Sequence, residues 1–347
     1  MKNIIIQKDM AYITSHNLPW QRFSGKSILI TGATGMIPGY IVETLLFLKK
    51  TYPKIDLKIY ALVRNRQKAY RRYKNDLKNK RLSLLIQDVI RPLKCHKRFD
   101  YIIHGASLAS PRHFKNNPIG TILPNVLGTY YLLECAKKNK SECFMFISSP
   151  DVYGNTSEMS SISENDFGYL DPLALRSCYG ESKRMGEALC AAWQSQNKTP
   201  VKIVRPFDVY GPGMNLNDGR VFSDFVSNVV NKQNILIKGQ GAEYRTFCYL
   251  ADAVLAIFVV LFFGKEGEAY NIGNDKCEIQ IRELAQLLVK LFPQYKLKVV
   301  FAKQKNSCYL KSPNKRGYPD TSKIKQLNWH PQYSLEEGFK RTIKSFL

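Results

Sequence analysis

The chain has 347 residues, 44% of them hydrophobic, with 52 Lys and Arg against 28 Asp and Glu for a formal net charge of +24. That length and apolar content exclude a disordered chain and suit a large core domain with a smaller one attached. The positive excess fits nucleic acid, an anionic membrane face, an acidic small substrate such as a nucleotide, or an ordinary solvated lysine-rich surface. Eight cysteines, scattered from Cys95 to Cys308 without close pairs or histidine clusters, indicate neither a metal site nor a disulfide framework.

Residues 1–25 read as a short leader, and from Gln7 onward they lack a signal-peptide core, which points to a soluble, cytoplasmic chain. The apolar run Ile28 to Ile30 predicts a first strand. It is followed by the glycine-rich turn Thr31-Gly32-Ala33-Thr34-Gly35-Met36-Ile37-Pro38-Gly39 and a helical stretch from Tyr40 to Leu48. Further strands are expected at Leu57 to Val63, Leu82 to Gln87, Tyr101 to His104, Cys143 to Ser148 and Val201 to Arg205, alternating with amphipathic stretches. This predicts an α/β fold, a Rossmann-type doubly wound parallel sheet, over residues 26–204. Thr31, His104 and Ser149 stand at strand ends, where such sheets present ligands.

Beyond Arg205 the alternation fades. Helices are expected at Val221 to Val230, Asp252 to Phe263, Ile281 to Phe292 and, after a Ser334-Leu335-Glu336-Glu337 capping pattern, at Phe339 to Phe346. Residues 205–347 are read as mainly a smaller substrate-binding domain, with residues 246–275 returning to the sheet. The longest apolar run, Ala253 to Phe263, is about half of the roughly 18 to 20 residues a membrane span needs. No membrane partner is expected.

The turn after the first strand has the composition of a dinucleotide site, where backbone N–H groups around Gly32, Thr34, Gly35, Met36 and Ile37 meet a pyrophosphate. Pro38 stands where a third glycine would be; it is tolerated in a first helical turn but adds a ring at the helix–strand contact. The second strand ends in Arg64 rather than Asp or Glu, and a guanidinium there suits a 2′-phosphate, so the reading is NADP ahead of NAD. Asp88, followed by Val89, is the candidate adenine contact. Tyr179 and Lys183, four apart on a helix, form a candidate base and its cation, because an ammonium favours the phenolate. Ser149 is placed to hold the same substrate hydroxyl.

These residues together resemble the extended short-chain dehydrogenase/reductase superfamily over almost the whole chain after Lys26. Within it, several stretches are similar to UDP-glucuronate decarboxylases and sugar-nucleotide 4,6-dehydratases. They are His104 to Pro111, Asn117-Pro118 with Asn125 and Gly128-Thr129, Arg176 to Arg184, and Tyr210 to Met214 running on to Asn217 to Val221. The resemblance implies Ser149, Tyr179 and Lys183 as the catalytic set and Ala106, Ser107 and Asn125 as further cofactor contacts. It implies Ser110, Asp208, Arg220, Arg245 and Arg316 as substrate contacts, the arginines clamping a nucleotide diphosphate.

Two departures from the subgroup stand out. Asp151 lies where the acid that moves the C5 proton is usually the longer Glu, with Pro150 before it. Gly213 replaces the arginine of the decarboxylase Gly-Pro-Arg-Met motif.

The expected activity is oxidation at C4 of a nucleoside-diphosphate sugar to a 4-keto sugar, followed by epimerisation, elimination or decarboxylation. An NADPH-dependent 4-keto reductase is the alternative. A noncatalytic dinucleotide-binding or RNA-associated protein is the alternative of another class, disfavoured by the intact Ser149, Tyr179 and Lys183, so no nucleic-acid partner is expected. The runs Asn125 to Lys137 and Lys183 to Trp193 are apolar enough for a four-helix homodimer interface.

Overall fold

A computed structural model describes residues 3–94, 97–156, 159–302 and 317–347. Among these residues seven strands form one parallel sheet: β1 (Ser27–Thr31), β2 (Lys58–Val63), β3 (Ser83–Ile86), β4 (Tyr101–His104), β5 (Cys143–Ile147), β6 (Val201–Pro206) and β11 (Ala269–Ile272). Their order is β3-β2-β1-β4-β5-β6-β11. Chain direction across the sheet reverses between β1 and β4, and a crevice opens there beyond the carboxyl ends of the strands. Every residue of β1, β4 and β5 is buried, as strands covered on both faces must be.

The helices are α1 (Ile4–Ser15), α2 (Met36–Thr51), α3 (Arg66–Lys78), α4 (Pro111–Asn116), α5 (Pro118–Asn139), α6 (Cys178–Asn197), α7 (Val221–Val230), α8 (Leu250–Phe263), α9 (Ile281–Leu291), α10 (Ser322–Lys325) and α11 (Leu335–Lys344). Three two-stranded pairs serve the carboxyl-terminal part. Parallel β7 (Val209–Tyr210) and β10 (Cys248–Tyr249) form one, and parallel β8 (Ile235–Ile237) and β13 (Val299–Phe301) another. The third is antiparallel β9 (Tyr244–Thr246) and β12 (Glu278–Gln280).

The most apolar run is α8, in which Leu250 to Phe262 are all buried between the sheet, α1 and α2. No described helix is long and apolar enough to cross a membrane. The final helix begins at Leu335, where Ser334 accepts from the Glu337 N–H at 3.2 Å. A reciprocal capping box occurs at the start of α9, between Gln280 and Glu283.

The leader is built into the core. Helix α1 packs on α2 and α8, and its Asp9 is completely buried. Asp9 accepts from the Tyr40 hydroxyl at 2.5 Å and the Tyr249 hydroxyl at 2.7 Å, and it pairs with Arg341. A carboxylate without water needs such donors, and here they come from α2, β10 and α11.

Candidate active site

At the glycine turn, Gly32 has φ +66°, and a Cβ there would lie 2.7 Å from Ala106 Cα and 2.8 Å from the Gly105 carbonyl. Only glycine fits where β1 passes so close to the end of β4. The N-cap of α2 is Gly35, which offers no side chain to the first-turn N–H groups. The ring of Pro38 is accommodated by a second glycine, since a Cβ on Gly105 would lie 2.5 Å from Pro38 Cγ. Close helix–strand approach is thus retained by moving the small residue from α2 to β4.

Across the crevice the Ser107 Oγ and Asn125 Oδ1 are buried without protein partners. The Asn125 amide meanwhile donates to the Thr121 carbonyl and the Ser182 hydroxyl, each at 3.0 Å. Orphaned buried acceptors and donors, a glycine cradle and an uncapped helix start suit a dinucleotide. The residues that would hold it are Gly32 to Ile37, Ala106, Ser107 and Asn125. At the far end Arg64 and Asp88 face each other at 3.6 Å, the arginine half exposed, while Asp88 also accepts from the Ile90 N–H. Val89 is buried against Gly128.

Thr31 and His104, two of the three strand-end candidates, do not reach the crevice. The Thr31 hydroxyl and His104 Nδ1 are 2.7 Å apart, and His104 Nε2 lies 3.0 Å from the Pro124 carbonyl. A carbonyl only accepts, so Nε2 carries the proton and Nδ1 accepts from Thr31. Burial, reinforced by Lys183, pushes His104 down to about 3, and the neutral ring ties β1, β4 and α5 together.

Ser149, Tyr179 and Lys183 come together at the ends of β5 and on the first turns of α6. Tyr179 is stacked on Phe114, with ring centroids 4.8 Å apart, and Ser149 lies near enough to its oxygen to favour the phenolate. Lys183 donates to the Ile147 carbonyl at 2.7 Å and lies over the Phe146 and Tyr179 rings. In this state burial pushes the Tyr179 phenol well above its ordinary range and Asp151 adds to the rise. The nearby Ser149 and the Arg220 and Arg176 charges oppose it. Burial likewise lowers Lys183, to about 7, so in this state its ammonium does not offset the burial of the Tyr179 phenol.

Asp151 sits beside this group, 3.4 Å from an Arg176 nitrogen, and Arg176 in turn covers the Phe114 ring. Asp208 follows β6 in a left-handed conformation, φ +30°. Burial raises its carboxyl, the Arg245 and Arg220 charges oppose that rise, and the Asp151 charge adds to it. Arg220 is held by the Asp218 carboxylate at 2.5 Å, and Arg245 donates to the Tyr244 carbonyl at 2.7 Å. Ser110 donates to the Asp218 carbonyl, tying the loop before α7 to the crevice wall. Arg316 lies outside the described residues. No group of three metal-ligating side chains occurs among the described residues.

The family model of the NAD dependent epimerase/dehydratase family matches residues 28–273. The chain belongs to that family. UDP-glucuronic acid decarboxylase 1 of Arabidopsis thaliana is 33% identical over 320 residues, covering 92% of this chain and 69% of that one. A solved dTDP-glucose 4,6-dehydratase from Streptomyces venezuelae with NAD and TYD bound superposes with a TM-score of 0.76. It is 25% identical, over 92% of this chain and 96% of that one. UDP-glucose 4-epimerase from Thermotoga maritima shares the fold, with a TM-score of 0.79, 22% identity and coverage of 92% and 98%. This member of the family is accordingly an enzyme of the NAD-dependent, sugar-nucleotide-modifying kind.

Sequence reading missed what lies beneath the site. Glu187, one turn after Lys183 on α6, forms a two-pronged ion pair with Arg205, at 2.9 and 2.6 Å, and accepts from Ser148 at 2.6 Å. Arg205 also donates to the Tyr153 hydroxyl at 2.8 Å, which in turn donates to Asn271 Oδ1 at 2.5 Å. The i to i+4 spacing from Lys183 to Glu187 was the available signal.

One consequence is a pH-dependent stability. With Lys183 held near 7 in the folded protein against about 10.4 in an unfolded chain, the unfolded state binds more protons across that window. The contribution of Lys183 to stability therefore rises with pH through it, and its burial penalty is complete below pH 7. Lys183→Met should exceed the wild type in unfolding free energy most at pH 6.5 and least at pH 9.5, as measured by denaturant titration. A gap that does not change with pH would remove the argument.

Proposed function

We propose that this enzyme oxidises the C4 hydroxyl of a nucleoside-diphosphate sugar and works through the 4-keto sugar, regenerating its cofactor within one catalytic cycle. The observation that carries this reading is Tyr179, stacked on Phe114 with Lys183 over its ring and Ser149 near its oxygen, next to the glycine-turn crevice. Bound NAD(P) would supply the acceptor for the C4 hydride. Tyr179 takes the C4 hydroxyl proton and Ser149 holds that hydroxyl in line. Lys183 steadies the phenolate and the nicotinamide ribose. Asp151, once C4 is a ketone, moves the now acidic C5 proton, and Arg220 and Arg245 hold the diphosphate beside Asp208.

Gly213, with φ +78°, stands where the decarboxylase motif has arginine and offers no side chain to a sugar carboxylate. This favours a sugar without a carboxylate over a uronate. Arg64 supports NADP ahead of NAD. The exposed apolar residues Ile119, Leu127 and Tyr130 on α5 and Met185 on α6 support a homodimer through these two helices.

The test is mass spectrometry of small molecules released from the denatured protein, followed by incubation with UDP-, dTDP- and GDP-sugars without added cofactor. Retained dinucleotide and turnover of one sugar support the self-recycling reading, and the retained species names the cofactor. A protein that turns over 4-keto sugars only when NADPH is added would replace this reading with that of a net reductase.

A further inference from the structure

We propose that Arg72 and Tyr73 of α3 are positioning residues that hold the glycine turn in its pyrophosphate-binding form. The proposal rests on the reading that this turn binds a dinucleotide. Two successive side chains take three successive carbonyls of the turn: Tyr73 Oη donates to Ala33 at 2.5 Å, and Arg72 Nη1 donates to Gly35 at 2.8 Å and reaches Thr34 at 3.4 Å. Arg72 Nε is fixed by Glu43 of α2 at 2.8 Å.

Neighbouring residues on a regular helix diverge by about 100° and do not serve one target. Helix α3 leaves helical geometry at Tyr73, with φ −114° and ψ 17°, and so brings both side chains to the turn. Its cations Arg66, Lys68, Arg71 and Lys74 are exposed, whereas Arg72 is turned inward. Room for it is made by Gly39, where a Cβ would collide with the guanidinium.

The effect on the site follows from peptide planarity. In a trans peptide the carbonyl of one residue and the N–H of the next point in opposite directions. Holding the Gly35 carbonyl toward α3 aims the Met36 N–H away from α3, out of the uncapped helix start. Pro38 has deprived that first turn of one N–H, and the Arg72 charge, bonded to the turn itself, makes up positive potential where an anion sits. The same helix follows directly from Arg64, so the ribose and pyrophosphate ends of the site rest on one element.

The probe is ADP-ribose, which carries the pyrophosphate without the nicotinamide, titrated calorimetrically into the 347-residue protein after any retained dinucleotide has been removed. Arg72→Met should weaken it roughly tenfold. Arg72→Lys, which keeps the charge but loses the fork, should recover part of that loss, as a mere packing role would not. Gly39→Ala, which leaves every donor in the chain but pushes the guanidinium off the turn, should reproduce Arg72→Met and keeps the test decisive if the arginine variant fails to fold. Unchanged affinity in Gly39→Ala or in folded Arg72→Met would overturn the proposal. A wild-type protein that does not bind ADP-ribose would instead overturn the dinucleotide reading of the turn, and the proposal with it.

Discussion

Tyr179→Phe should lower turnover by about a thousandfold while dinucleotide affinity stays within about twofold of wild type. The substitution removes one oxygen from a ring already fixed by its stack on Phe114, so the site loses its proton acceptor and little else. Burial holds the Tyr179 phenol high in the cofactor-free protein. As a base it must be brought down by charge that arrives with the ligands, and the pH–rate profile should carry an ionisation that the Phe variant lacks. Single-turnover assays of C4 oxidation against a dinucleotide titration make the comparison. Wild-type turnover in Tyr179→Phe would show that another group takes the proton.

The second large effect is expected on stability. Arg205→Met leaves Glu187 without its counter-charge; the two side chains are 7% and 14% exposed. Breaking one side of such a pair costs about 3–5 kcal/mol, which for a chain of this size lowers Tm by roughly 4–7 °C. The double substitution Arg205→Met with Glu187→Leu should recover much of that loss, because neither buried charge then remains. Thermal unfolding of the three proteins decides it. A single variant within about 1 kcal/mol of wild type would mean that water already reaches the pair.

The sheet was legible because its strands are buried on both faces and read as short unbroken apolar runs. β1, β2, β4, β5 and β6 fall within a residue of expectation at most ends. The reacting group was legible because Tyr179 and Lys183 keep a helical spacing that needs no tertiary information. Other features were not. In α1, Asp9 interrupts the apolar face, and its partners lie in α2, β10 and α11. Thr31 and His104 looked functional by position, yet each satisfies the other. The accommodation of Pro38 by Gly105, and of Arg72 by Gly39, depends on which backbones approach each other. A one-dimensional pattern does not contain that relation.

The contact between Asp9 and Arg341 joins residues 332 positions apart. During synthesis the first helix therefore leaves the ribosome long before the arginine that neutralises its acid exists. Until α11 is made, α1 can rest on α2 and α8, but Asp9 lacks the charge that neutralises it. The acid buried in α1 is thus neutralised only once α11 has been made, more than three hundred residues later.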